Sequence, residues 1–245
     1  MNNTGIIKKS ISMVLAFSMI LSLFVLFANI NVNAATDCVS MYSTGKVFSK
    51  YGITTREIYI QTTDNASDQH VYVHYNYLDG QEWKDAEATY VTTLADGSKI
   101  WRSVINSFNT EYAIKYVADG QTYWDNNNNN NYTDEQIGTA PITVVRSGYP
   151  FFDGKYSIDV LLKNFAYEKN VQVRYTQDNW DTYNDVPLSY SLTNADGTEQ
   201  WSVDLNLGDK GTSDFEYCVY YQVNGQTYWA NNFGQNYDSS YCIHK

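Results

Sequence analysis

Proline and cysteine are both scarce, 3 of each in 245 residues. Three thiols exclude a disulfide-dense scaffold and any zinc framework of four thiolates. Charge is thin at 18% of residues, and basic residues number only 16 against 27 acidic ones, a net charge of −11. That balance speaks against nucleic acid as a partner, because its phosphate backbone attracts basic surfaces. The three histidines, His70, His74 and His244, show no metal-ligand spacing. No Gly-rich phosphate loop and no Gly-x-Ser-x-Gly elbow is found. Hydrophobic residues make up 43% of the chain, too many for a wholly disordered protein. Aromatic residues are the abundant class: 23 Tyr, 10 Phe and 6 Trp require an aromatic core or an aromatic working surface.

The first 34 residues read as an export leader. Lys8 and Lys9 precede an uncharged apolar run from Ile11 to Ile30, and Val32-Asn33-Ala34 offers small residues for a signal peptidase. Cleavage after Ala34 is expected, with an uncleaved anchor as the other reading of a 20-residue apolar run. A secreted, acidic protein without stable membrane insertion follows. Two of Cys38, Cys218 and Cys242 can pair in an oxidising compartment, and spacing alone does not decide which two.

One unit occurs twice. Gly-Gln-Thr-Tyr-Trp stands at Gly120 to Trp124 and again at Gly225 to Trp229, each copy running into an Asn-rich loop. Val71, Val73, Tyr75, Asp85, Tyr90, Ala95-Asp96-Gly97 and Trp101 recur 100 residues later, from Val171 to Trp201. Two units of about 100 residues predict two domains, residues 35–137 and 138–245, rather than a solenoid. Within them apolar residues alternate with polar ones, as at Val171, Val173 and Tyr175, and Asp-Gly pairs punctuate the runs. The predicted fold is all-β, two immunoglobulin-like antiparallel sandwiches in tandem. Asp85 and Asp185 recur outside the Asp-Gly turns and read as solvated or turn-capping acids, so no carboxylate pair of a glycosidase is read here. No enzyme, cofactor or metal is expected.

The tryptophans fall three to a unit. Trp101 and Trp201 begin strands and read as core, whereas Trp124 and Trp229 stand beside Asn-rich loops and Trp180 sits among polar residues. Flat rings beside amides suit a sugar, which presents an apolar C–H face and a rim of hydroxyls.

Lys163-Asn164-Phe165-Ala166-Tyr167-Glu168-Lys169-Asn170-Val171, Asp178-Asn179-Trp180 and Asn224-Gly225-Gln226-Thr227-Tyr228-Trp229 resemble carbohydrate-binding module family 21. That family comprises the starch- and glycogen-binding modules of some fungal glucoamylases and of glycogen-targeting phosphatase subunits. The resemblance covers residues 140–245 and implies a sandwich that holds α-1,4-glucan without cleaving it. It implies stacking of glucose on Trp180 and Trp229, with Asn164 and Lys169 as polar partners and Asn232, Asn236 and Tyr237 in the adjoining loop. A second site would use Tyr167 and Tyr190, helped by Asn231. In the divergent first unit Trp83 and Trp124 would stack, with Asp125, Asn126, Asn127 and Asn131 beside them. Ser67 replaces the Tyr167 counterpart, Ala230 replaces the acid kept at Asp125, and Cys218 and Ala113 replace a further family aromatic. Two modules on one polymer would bind with avidity, with amylolytic enzymes as companions. The rival reading is a secreted adhesive or structural β-sandwich protein that binds another protein or a non-glucan polysaccharide. A phosphatase-docking role fits poorly, since Lys46-Val47-Phe48 lacks the basic-x-Val-x-Phe spacing.

Overall fold

A computed structural model describes residues 38–50, 53–76, 82–106, 110–133, 136–148 and 155–240. The expected leader and Cys242 lie outside the described residues. The first half holds β1 (Val39–Lys50), β2 (Ile53–Thr62), β3 (Gln69–Asn76), β4 (Lys84–Glu87), β5 (Thr89–Thr93), β6 (Lys99–Asn106), β7 (Glu111–Ala118) and β8 (Gln121–Asp125). The second holds β9 (Ile142–Gly148), β10 (Lys155–Lys163), β11 (Lys169–Thr176), β12 (Asn184–Pro187), β13 (Ser189–Thr193), β14 (Thr198–Asn206), β15 (Glu216–Val223), β16 (Gln226–Ala230) and the short β17 (Tyr237–Asp238).

Both halves repeat one strand order. The sheets β1-β2-β6-β5 and β4-β3-β7-β8 correspond to β9-β10-β14-β13 and β12-β11-β15-β16, and all pairings are antiparallel. The period-two pattern dictates the packing. Val171 and Val173 turn inward from β11 to meet Val219 and Tyr221 of β15, and Ile158, Val160 and Leu162 of β10 complete that core from the opposite sheet. Ile58, Ile60, Val71, Val73, Ile114 and Tyr116 do the same in the first half. Each fully buried aliphatic side chain contributes roughly 1.5–3 kcal/mol, which is what holds the paired sheets face to face.

The Asp-Gly pairs close hairpins as expected. Gly97 donates its N–H to the Leu94 carbonyl at 3.0 Å and adopts φ 87°, and Gly197 repeats this with Asn194 at φ 82°. A type I turn followed by a left-handed residue needs glycine there.

The connection between the halves runs along β1. The N–H of Thr139 reaches the Met41 carbonyl at 2.9 Å, and those of Gly138 and Ala140 reach the Tyr42 carbonyl at 2.9 and 3.1 Å. Gly138 lies so close to the Met41 backbone that a Cβ has no room.

Candidate functional site

A groove opens on the outer face of the β12-β11-β15-β16 sheet. Strand register sets Arg174 opposite both Asp185 and Cys218, and sets Tyr220 opposite Trp229. Arg174 donates from Nε to Asp185 Oδ1 at 2.8 Å and from Nη2 to Oδ2 at 2.7 Å. Those hydrogen bonds hold the Asp185 carboxyl below its ordinary pKa. The guanidinium carbon lies 4.1 Å from the Tyr183 ring centre, 5.6 Å from that of Tyr220 and 5.9 Å from that of Trp229. A cation held within about 6 Å of three ring centres draws them together around it. Burial pushes the Cys218 thiol up to about 11, so it lines the groove as a neutral group.

The opposite wall is the loop after β11. Asp178 accepts from the Thr176 hydroxyl at 2.7 Å, the Thr182 N–H at 2.9 Å and the Thr182 hydroxyl at 2.6 Å. The Thr182 bonds, followed by that from Thr176, lower its pKa to about 2. Asn179 and Trp180 take left-handed φ values of 55° and 71°. For a residue as bulky as tryptophan that conformation carries strain, and strain of this kind gathers at ligand clamps. Trp180 Nε1 donates to Glu216 Oε2 at 2.6 Å, and Asn236 Nδ2 reaches the same oxygen at 3.3 Å. Trp180, Trp229, Asn231 and Asn236 thus share with Arg174, Tyr183 and Cys218 a groove of about 450 Å³. Trp229 remains 44% exposed, so an indole face is open beside amides.

The Asn-rich loop beyond β16 corrects three expectations. Asn231 lines the Trp180–Trp229 groove rather than assisting a site at Tyr167 and Tyr190. Asn232 turns its Nδ2 to the Asn236 carbonyl at 3.0 Å, a bond that shapes the loop. Tyr237 is core, not surface: it is 7% exposed and stacks on Tyr217 at 5.2 Å. Asn232, Phe233 and Asn236 all have left-handed φ, a conformation in which asparagine is enriched, which accounts for the loop's composition.

Asn164 and Lys169 are not partners of Trp180. They lie at the start of β11 and Trp180 follows its end, roughly 23 Å away at ~3.3 Å per residue. The Lys169 ammonium is buried, donating to Asn164 Oδ1 at 2.6 Å and Glu199 Oε2 at 2.7 Å. Glu199 also accepts from Trp201 Nε1 at 2.9 Å, and Trp201 supports the edge of the Tyr190 ring at 6.0 Å. Asn164, Lys169, Glu199, Trp201 and Tyr190 are therefore linked in sequence, and Tyr167, 93% exposed, stands in the same loop as Asn164. Glu199 was missed by sequence reasoning. Its contact with Lys169 crosses from one sheet to the other, β14 to β11, and no spacing along the sequence reveals it.

In the first half His74 occupies the place of Arg174. Its ring lies parallel to Trp83 at 5.0 Å and edge-on to Trp124 at 5.3 Å. Trp83 meets His74 as Tyr183 meets Arg174, so its counterpart is Tyr183 and not Trp180. Asp85 accepts from Lys115 Nζ at 2.6 Å and pairs with His74 Nδ1 at 2.6 Å. Burial raises the Asp85 pKa, but these hydrogen bonds outweigh it and leave the carboxyl lowered. Asp125 is a brace rather than a surface contact, holding the Met41 N–H and the Tyr132 hydroxyl, each at 2.7 Å. Asn126 exchanges bonds with Asn129, Asn127 reaches the Asn131 carbonyl at 2.8 Å, and Asn131 reaches Glu111 at 3.2 Å. Like Asn232 and Asn236, they hold their own loop, and three further residues of known position, Arg174, Tyr183 and Glu216, build the groove that sequence reading left to tryptophan and asparagine.

Residues 157–240 match the model of a family described as Carbohydrate/starch-binding module (family 21). Protein phosphatase 1 regulatory subunit 3C of Bos taurus is 42% identical over 82 residues, which are 32% of this chain. The match spans only 26% of that relative's length, about a quarter. Two solved structures are similar at 29% identity over 40% of this chain. The carbohydrate binding module of the muscle glycogen-targeting subunit of Protein Phosphatase-1 has a TM-score of 0.35, with 73% of it covered. The starch binding domain of Rhizopus oryzae glucoamylase, solved with β-cyclodextrin and maltoheptaose, has a TM-score of 0.34, with 92% covered.

Proposed function

We propose that the second half, which carries the family-21 match, binds α-1,4-glucan of starch or glycogen without cleaving it. The observation that carries this reading is the groove in which the Trp229 face, braced by Arg174 and Tyr220, stands opposite Trp180 with Asn231 and Asn236 at the rim. Glucose rings desolvate against the indoles while amides and bridging water orient the hydroxyls. The patch of Tyr167 and Tyr190 offers a second, more exposed contact. The first half, residues 35–137, acts as a divergent immunoglobulin-like copy of the second, residues 138–245, through Trp83 and Trp124. Two weak sites on one polymer raise effective concentration, so avidity exceeds either affinity. An export-leader pattern in the sequence of residues 1–34 supports a role outside the cell, with amylolytic enzymes as companions on the same polymer.

Retention of the full chain on insoluble starch tests the groove. Trp180→Ala with Trp229→Ala should lower retention at least about tenfold, the equivalent of ~1.4 kcal/mol, with an unchanged far-ultraviolet circular dichroism spectrum. Undiminished retention removes the groove from the reading. Retention on cellulose and xylan but not on starch would favour a different polysaccharide.

A further inference from the structure

A second cleft lies between the halves. It holds about 300 Å³ and is bounded by Tyr42 of β1, Tyr59 of β2 and Thr92 of β5 on one side, and by the turn from Trp229 to Phe233 on the other. Its floor is fixed by aromatic contact. Phe233, at φ 55°, sets its ring 4.9 Å from Tyr59 and 5.9 Å from Tyr42. Gly45 permits this, since a Cβ there would strike the Tyr59 ring.

Three properties give the cleft a ligand. It adjoins the groove, because Trp229 and Asn231 line both. Its walls alternate aromatic carbon with hydroxyl and amide groups. Several of those polar groups also have no partner among the described residues: the Tyr42 hydroxyl, the Thr92 hydroxyl and the Asn231 Nδ2, whose Oδ1 is already taken by the Gly234 N–H at 3.1 Å. A cleft of this size with convergent unpaired donors is what an uncharged polyol requires.

We propose that the inter-half cleft is a further glucan subsite, which holds the continuation of the α-glucan chain whose first residues lie on Trp180 and Trp229. The inference rests on the function proposed for the groove and adds that the first half completes the second half's site. Ligand length is then the discriminating variable. A maltotriose fills the groove alone, while a maltoheptaose reaches the cleft.

Titration calorimetry of the full chain carrying Trp124→Ala, which removes the first half's own stacking face, tests this. In that background Thr92→Phe fills the cleft and Tyr42→Phe removes one hydroxyl while keeping the ring against Phe233. Maltoheptaose affinity should fall about tenfold with Thr92→Phe and about threefold or more with Tyr42→Phe, and maltotriose affinity should change less than twofold. Unchanged maltoheptaose affinity in both variants overturns the cleft and leaves the groove standing. Equal losses for the two sugars also overturn it, since the variants would then act on the groove. Failure of the Trp124→Ala parent to bind either sugar sinks groove and cleft together.

Discussion

The two halves use the same strand order to opposite effect at matched positions. In the second half the residue at the centre of the outer sheet is Arg174, bidentate on Asp185 and over the Tyr183 ring, with Trp180 brought on a strained loop to the groove that Trp229 also lines. In the first half the equivalent His74 is stacked on Trp83 and capped by the edge of Trp124, while Lys115 replaces Tyr220 and takes the second oxygen of Asp85. A guanidinium carries a permanent charge and a planar fork of donors, so it can brace three rings and a carboxylate at once. An imidazole has fewer donors, and here it stacks on Trp83 and meets Trp124 in a T-shaped contact. Duplicated strands therefore do not guarantee duplicated sites. What decides is which group sits at the register position between the two aromatic edges.

The largest expected difference is in stability. Lys169 and Glu199 form a buried pair in the second half, where the first half has Gln69 bonded to Lys99. Lys169→Ala leaves Glu199 buried without its cation, and urea denaturation should show a loss of about 3–5 kcal/mol. Gln69→Ala should cost about 1 kcal/mol by the same measurement, since a neutral partner is removed. Similar losses would break the contrast. Starch retention by a folded Lys169→Met protein should persist through the Trp229 groove, which lies at the far end of β11.

Asp125 comes next. It braces Tyr132 and Met41, and its counterpart Ala230 is buried against the second core. Asp125→Ala should lower the stability of the chain by about 2 kcal/mol in thermal or urea unfolding, by orphaning two donors. A loss of starch binding with unchanged stability would instead return Asp125 to the surface role that the family motif suggests.

These residues show what the sequence could and could not say. Alternation along Val171, Val173 and Tyr175 and the Asp-Gly turns are legible because each is a local rule of backbone geometry, and the 100-residue repeat is legible because the same residues recur at one offset. The strands fell where those rules put them. The site was only half legible. Trp180, Trp229 and Asn236 line one groove, but Asn164 and Lys169, which the family resemblance puts beside it, stand at the other end of β11. Trp83 was matched to Trp180 by residue type when its 100-residue offset points to Tyr183. Asn127, Asn131, Asn232 and Asn236 read as hydroxyl readers, yet their left-handed φ values show that backbone conformation first selects asparagine there. The Arg174–Asp185 pair had a usable signal, opposite charges 11 residues apart on strands joined by one loop.

A smaller effect separates the tryptophans. Trp229 is 44% exposed and Trp124 is 40% exposed, so truncating either should change stability little. Their binding roles should differ, because the Trp229 ring opens on a groove, whereas the Trp124 ring meets the His74 ring and the Lys115 ammonium. Trp229→Ala should weaken retention of the full chain on starch about tenfold, and Trp124→Ala about threefold or less. Equal losses would make the halves equivalent binders and void the contrast drawn from His74.

The smallest effect is one of pH and concerns the Trp180 loop alone. Asp178 has a folded pKa of about 2 against an ordinary 3.8, lowered by the Thr182 and Thr176 hydrogen bonds. A lowered folded value means that the carboxylate supports the loop fully above pH 3.8 and that this support is lost as pH falls through about 2. The carboxylate is exposed, so the effect belongs to loop geometry rather than to global stability. One hundred residues earlier the sequence has Leu78, a side chain with nothing to titrate. Asp178→Asn keeps one acceptor oxygen and loses the other, so at pH 6 it should retain starch roughly twofold less well than the wild type. The gap should begin to narrow below pH 4 and fall to about half its size near pH 2, where the folded carboxylate is half protonated. A gap that stays constant to pH 2 would show that Trp180 is positioned by Glu216 and the Thr176 hydroxyl without help from the Asp178 charge.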